Sequence, residues 1–179
     1  DRFQWIPGKT YQLIERLLAE YAGKFDFCLL DGNHKEEHAL TDFKACFDLG
    51  IPNVLVDNFD QESALLDFLL DIEPDIGDMG LKIIFESDLE PDKLKPFIGQ
   101  FSRKNFGINY DIGNSAALEF DADKEFKAYG DRILNVHVKD RVSGGNTVPL
   151  GTGNADFEKV FSALGRAGYN GNYILQTAR

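Results

Sequence analysis

Positive charge is scarce in this sequence. Its 179 residues carry 19 Lys and Arg against 30 Asp and Glu, a net charge of −11 with the three His neutral. That field repels a phosphate backbone and argues against nucleic acid as a partner, while small cations and divalent metals remain compatible. Cysteine is nearly absent as well. Cys28 and Cys46 fall in a predicted strand and a predicted helix, form no metal or redox spacing, and read as buried apolar residues of a reducing, cytoplasmic compartment. Long apolar runs are missing: nothing approaches the ~18 residues of a membrane span. The start, Asp1-Arg2-Phe3-Gln4-Trp5, lacks a signal peptide's apolar core. Methionine occurs once, at Met79, so the chain reads as an excerpt or a processed product.

What is present describes a globular protein. Apolar residues make up 43% and charged residues 27%, with 17 Gly and 6 Pro, which excludes disorder and collagen. A chain of this length buries about 70% of its unfolded surface, so the core needs no disulfide or metal to hold it. Short β-rich runs appear at Phe25–Leu30, Asn53–Val56, Leu81–Phe85, Phe106–Tyr110, Ile133–Val138 and Tyr173–Leu175. Between them apolar residues recur at helical spacing: Tyr11, Ile14, Leu17, Leu18 and Tyr21; Ala39, Leu40, Phe43 and Phe47; Leu65, Leu66, Leu69, Leu70 and Ile72. Further helices are predicted over Asp92–Phe101, Asp123–Tyr129 and Ala155–Ala167. Pro91 is placed to start one, Asn154 to cap another and Gly168 to stop it. This alternation predicts parallel β/α units with about six strands. A closed eight-stranded barrel averages roughly 250 residues, so an incomplete or half barrel fits, as does an open doubly wound sheet.

Polar residues gather at the C-terminal ends of these strands: Asp31, Asp57, Glu86, Asp111, His137 and Gln176. In parallel α/β folds that edge is where sites are built. Charged residues also end strands merely because the chain is leaving the core, but Glu86, Asp111, His137 and Gln176 recur on four successive strands. The segments Phe85-Glu86-Ser87-Asp88-Leu89, Asn109-Tyr110-Asp111-Ile112-Gly113-Asn114-Ser115 and Asn135-Val136-His137-Val138-Lys139-Asp140-Arg141 resemble the xylose-isomerase-like barrels. So do Pro149-Leu150-Gly151-Thr152-Gly153-Asn154-Ala155-Asp156-Phe157 and Ile174-Leu175-Gln176-Thr177. That family includes sugar-phosphate isomerases and epimerases, and the resemblance covers about Asp60 to Arg179, the second half of such a barrel.

The resemblance implies a divalent metal, Mn, Co, Mg or Zn, held by Glu86, Asp111 and His137 with Gln176 as fourth ligand. It implies Glu86 as the catalytic acid/base and a sugar or sugar-phosphate substrate. Members commonly carry a second glutamate where this chain has Gln176, which coordinates through oxygen but accepts no proton, and many carry His where this chain has Asn114. Lys139 and Arg141 are candidates for phosphate or sugar oxygens, or a solvated pair around Asp140. The backbone N–H groups of the Gly151–Gly153 loop, just before a helix, are candidates to cradle an anion.

The first third resembles something else. Phe25-Asp26-Phe27-Cys28-Leu29-Leu30-Asp31-Gly32-Asn33-His34, the helix with Asp42, and Val56-Asp57-Asn58 are similar to part of a class I SAM-dependent methyltransferase. The glycine loop that holds the cofactor is missing, so SAM is not expected to bind. His34 and His38 read as an exposed polar face. The chain is therefore expected to be a single α/β domain of composite origin, 1–58 methyltransferase-like and 59–179 half-barrel. Three functions are compatible with these features: a metal-dependent sugar-phosphate isomerase, a methyltransferase remnant, or a folded module without catalysis. A half-barrel leaves strand edges unpaired, so self-association is expected as well.

Overall fold

The structure, a computed structural model, describes residues 19–20, 28–30, 44–49, 51, 53–56 and 63–177. Six strands form one parallel sheet: β1 (Cys28–Leu30), β2 (Asn53–Val56), β3 (Lys82–Phe85), β4 (Phe106–Asp111), β5 (Ile133–Val138) and β8 (Asn172–Leu175), hydrogen-bonded in that order. A two-stranded antiparallel ribbon, β6 (Asp140–Arg141) with β7 (Thr147–Val148), branches off after β5. The helices are α1 (Ser63–Asp71), α2 (Glu73–Met79), α3 (Pro91–Ile98), α4 (Ile112–Ala117), α5 (Ala122–Tyr129) and α6 (Phe157–Arg166). Residues 44–48 are also helical.

Strand order follows sequence order without reversal. A doubly wound sheet must reverse its order at a switch point, so that alternative is excluded. With right-handed crossovers, a monotonic order puts every crossover helix on one face and leaves the other to face inward. This is an incomplete barrel. On its outer face Phe85, Phe97, Phe101 and Phe106 form one aromatic cluster, with Phe101 and Phe106 stacked at 4.4 Å and Phe85 edge-on to Phe97 at 5.2 Å. Val54, Leu69, Ile76, Leu94 and Leu164 extend the same core. These contacts fix which way β3 and β4 face, and so which residues point inward.

All six predicted strands occur, within one or two residues where both ends are described. Two helices differ from expectation. α2 contains Pro74 and Gly77, which weaken a helical pattern, yet Pro74 lies in the first turn where its missing N–H is not needed, and Gly80 closes the helix at φ 69°. α4 occupies the stretch read as a strand-end motif, and Asp111 caps it by accepting from the Asn114 N–H at 2.8 Å. Asn154 is not the cap of α6. Asp156 is, accepting from the Lys159 N–H at 2.9 Å, while Asn154 Oδ1 accepts from the Ser143 N–H.

A bulge in β5 decides which of its residues reach the inner face. Ile108 pairs with Ile133, but Asn109 pairs with Asn135, so Leu134 is the extra residue. Because strand side chains alternate, that one-residue shift turns Asn135 and His137 inward, opposite Asn109 and Asp111. The displaced Leu134 lies over Gly107, where a Cβ would collide with it and stand 2.8 Å from the Arg132 carbonyl oxygen.

The Gly151–Gly153 loop does cradle an anion, and it is the chain's own. Asp140, fully buried, accepts from the N–H groups of Gly151 at 2.9 Å, Gly153 at 2.8 Å and Ala155 at 3.1 Å. Those donors are engaged inside the protein, which corrects the expectation that they face a ligand.

Two substitutions test these features. Gly107→Ala is expected to destabilise by about 1–3 kcal/mol, since Leu134 can shift but the Arg132 carbonyl cannot; urea unfolding followed by circular dichroism measures it. Asp140→Ala strands three backbone donors at once and is expected to cost about 2–4 kcal/mol, a melting temperature lower by about 4–16 °C in a chain of this size.

Candidate metal and acid–base centre

Three ionisable side chains meet at the C-terminal ends of adjacent strands. Glu86 follows β3, Asp111 ends β4, and His137 lies in β5 directly opposite Asp111. All three are buried, at 6%, 5% and 5% exposure. Their ligand atoms lie within 4.8 Å of one another. His137 Nδ1 is 3.1 Å from Glu86 Oε2 and 3.6 Å from Asp111 Oδ2.

The surroundings hold this cluster by direct contact. The Asn114 Nδ2 donates to Glu86 Oε1 at 2.9 Å, and its Oδ1 accepts from Lys139 Nζ at 3.1 Å and Arg141 Nη1 at 2.8 Å. Lys139 Nζ also donates to Asp111 Oδ2 at 3.1 Å. Arg141 grips the Gly145 carbonyl through Nε and Nη2. Lys139 and Arg141 are thus not a solvated pair around Asp140; both converge on Asn114 beside the carboxylates. Gly113 permits this, since a Cβ there would stand 2.8 Å from Lys139 Cγ. Gln176 continues β8 and donates its N–H to the Val138 carbonyl at 3.0 Å. Alternation along β8 puts it on the same face as Ile174, the partner of His137.

Electrostatics follow from this packing. Burial resists charging His137, but the carboxylates of Asp111 and Glu86 outweigh it and push its pKa up to about 9. Burial likewise opposes the ionised Asp111, yet its bonds to His137, the Asn114 N–H and Lys139 hold it below the usual carboxylate range. Two carboxylates and one imidazole form a donor set that suits a divalent first-row metal or Mg²⁺, with positions left over for substrate oxygens. The residues fit the group.

Two participants escaped the sequence reading. Asn109 and Asn135, at 2% and 5% exposure, lie directly beneath the triad. Their signal was present, since each stands two residues before a triad member on an otherwise apolar strand. Another buried carboxylate, Glu125, lies at 2% exposure among hydroxyls: Tyr110 and Tyr129 donate to it at 2.8 Å and Ser115 at 2.6 Å. Burial and the Glu125 charge raise both tyrosine pKa values.

Comparison with known proteins agrees with this geometry. The profile of the family described as xylose isomerase-like TIM barrel matches residues 17–179. Over 72 residues the chain is 42% identical to L-ribulose-5-phosphate 3-epimerase UlaE of Escherichia coli, a stretch covering 40% of this chain and 25% of the epimerase. Among solved structures, a xylose isomerase domain protein from Planctomyces limnophilus superposes with a TM-score of 0.63 at 22% identity, covering 77% of this chain and 56% of that one. The IolI protein with a bound zinc atom superposes with a TM-score of 0.62 at 20% identity, covering 93% and 76%. The matched stretch is thus a quarter of the curated epimerase's length. The methyltransferase resemblance finds no support: the profile starts at residue 17 and crosses the expected join at 58–59, and β1 pairs with β2, which pairs in turn with β3 in the same sheet. An apolar strand ending in Asp-Gly serves either fold. His34, His38, Asp31 and Asp57 lie outside the described residues. From residue 17 to its last residue, the chain belongs to the xylose isomerase-like TIM barrel family.

Proposed function

We propose that this chain carries the metal and acid–base centre of a sugar or sugar-phosphate isomerase. The observation that carries the reading is the convergence of buried Glu86, Asp111 and His137 within 4.8 Å. The substrate class rests on the family and on the sugar-phosphate epimerase to which the chain is similar. A divalent ion on Glu86, Asp111 and His137, with Gln176 as fourth ligand, would polarise a substrate carbonyl. The remaining work falls to side chains. Glu86 removes the proton from the carbon beside that carbonyl and returns it to the former carbonyl carbon, while the hydroxyl proton of the first carbon passes to the former carbonyl oxygen. Lys139 and Arg141, held together at Asn114, supply positive charge for a phosphate or for hydroxyl oxygens.

Gln176 decides between two outcomes. Returning a proton on the same face needs one base, whereas inverting a centre needs a second base opposite, and Gln176 has no ionisable group. Aldose–ketose isomerisation is therefore favoured over epimerisation.

Metal and proton transfer are tested together. Mn²⁺ at about 100 times its Kd is expected to add roughly 2.7 kcal/mol, raising the melting temperature by about 5–10 °C, and EDTA should reverse this. With a ketose phosphate in deuterated water, label should enter the carbon beside the carbonyl, and Glu86→Gln should stop it. Retained exchange in Glu86→Gln at unchanged Mn²⁺ affinity would move the chemistry elsewhere. No metal binding at all would favour a module without catalysis.

Association of two copies belongs to the same proposal. Among the described residues β8 ends the sheet, and Tyr173, Leu175 and the neighbouring Phe161 are 50%, 66% and 42% exposed. An apolar, unpaired edge recruits another edge. Light scattering is expected to give a mass above the 20.1 kDa of one chain; a constant monomer mass across dilution would reject the associated state.

A further inference from the structure

Both oxygens of Glu86 are held by side-chain amides. Asn114 Nδ2 donates to Oε1 at 2.9 Å, and Asn109 Nδ2 donates to Oε2. The same Asn109 nitrogen stands 3.0 Å from His137 Nδ1, so one amide touches two members of the triad. On its other side, Asn109 Oδ1 accepts from Asn135 Nδ2 at 2.6 Å. Asn109 and Asn135 face each other across the β4–β5 pairing at the first register position after the bulge. Both are buried.

We propose that Asn109, oriented by Asn135, is a positioning residue that sets the separation of Glu86 and His137. The inference rests on the isomerase reading for its purpose but not for its geometry. The Asn135 donor requires an oxygen at one end of the Asn109 amide, which fixes its NH₂ toward the triad. An amide suits this place. It donates to a carboxylate without exchanging protons with it, so it orients Glu86 and takes no part in the transfer. A lysine or serine there would add a charge or a rotatable hydroxyl. Its side-chain contacts are with Glu86, His137 and Asn135, and it acts through the first two.

The test has one arm that needs no metal and one that does. In the full chain with EDTA, the Glu86 carboxyl ¹³C resonance, assigned with Glu86→Gln, and the His137 ring ¹⁵N resonances are compared in wild type, Asn109→Leu and Asn109→Ser. Both sets should move in Asn109→Leu while the backbone amides of Val160 and Leu164 stay in place. A merely structural role would leave the side-chain signals where they were. The serine variant covers the case in which leucine prevents folding. Calorimetry with Mn²⁺ should show affinity lowered about 10–100-fold in Asn109→Leu, the range for residues that orient metal ligands. Asn135→Leu should weaken binding less, and should add nothing in the Asn109→Leu background. Unmoved resonances together with affinity within about twofold of wild type would overturn the proposal, as would additive effects of the two substitutions. A wild-type chain that binds no Mn²⁺ would sink the isomerase reading, and the resonance arm would still decide the role of Asn109.

Discussion

Keeping two carboxylates out of water is the constraint on which the centre of this half-barrel depends. Glu86 and Asp111 are buried at 6% and 5% exposure. An ion stripped of water costs several kcal/mol unless partners replace its hydration. Here the replacement is built from different groups for each. Glu86 is held by two neutral amides, Asp111 by a helix N-terminal N–H and the Lys139 ammonium. Each partner is delivered by a separate local feature: the bulge in β5 brings Asn135 behind Asn109, the start of α4 brings Asn114, and the glycine at 113 lets Lys139 come close. Glu125 shows another solution on the helical face, where three hydroxyls satisfy a buried carboxylate without any cation. The inner-face pair also takes in cationic partners, Lys139 on Asp111 and His137 between both carboxylates.

Much of this was legible in the sequence, and the reasons are physical. Strands of a parallel sheet are buried on both faces and read as dense apolar runs, so their limits show. Glu86, Asp111 and His137 stand out because polar residues ending such runs conflict with burial unless they serve a site. The bulge was not legible: nothing local marks Leu134 as the extra residue, and only the skip in register from Ile108–Ile133 to Asn109–Asn135 reveals it. Nor was the fate of Asp140. A Gly-Thr-Gly loop before a helix advertises free N–H groups, and nothing local says that an aspartate eleven or so residues earlier will occupy them. The first third misled for a related reason, since strand–loop–helix segments ending in acidic residues recur across α/β folds and identify none of them.

Asn114 ties the two charged halves of the centre together. Its amide bridges a carboxylate on one side and two cations on the other. Its hydrogen-bonding capacity is mostly committed within the protein. Lys139 and Arg141 bring positive charge beside the carboxylates, and both are tied to Asn114.

The unreversed strand order carries a consequence for how the chain folds. Each new strand pairs with the strand that precedes it in the sheet, so no segment must wait for a distant partner before it is useful. Loop-closure costs stay small and sequence separation between contacts stays short, which speeds folding relative to sheets whose neighbours lie far apart in sequence. A ribosome releases the chain in that same order. From β1 to β5 and on to β8, the sheet can grow by addition at one edge as synthesis proceeds, with Glu86, Asp111 and His137 arriving on consecutive additions. The centre is then assembled late, only after the edge has advanced past β5.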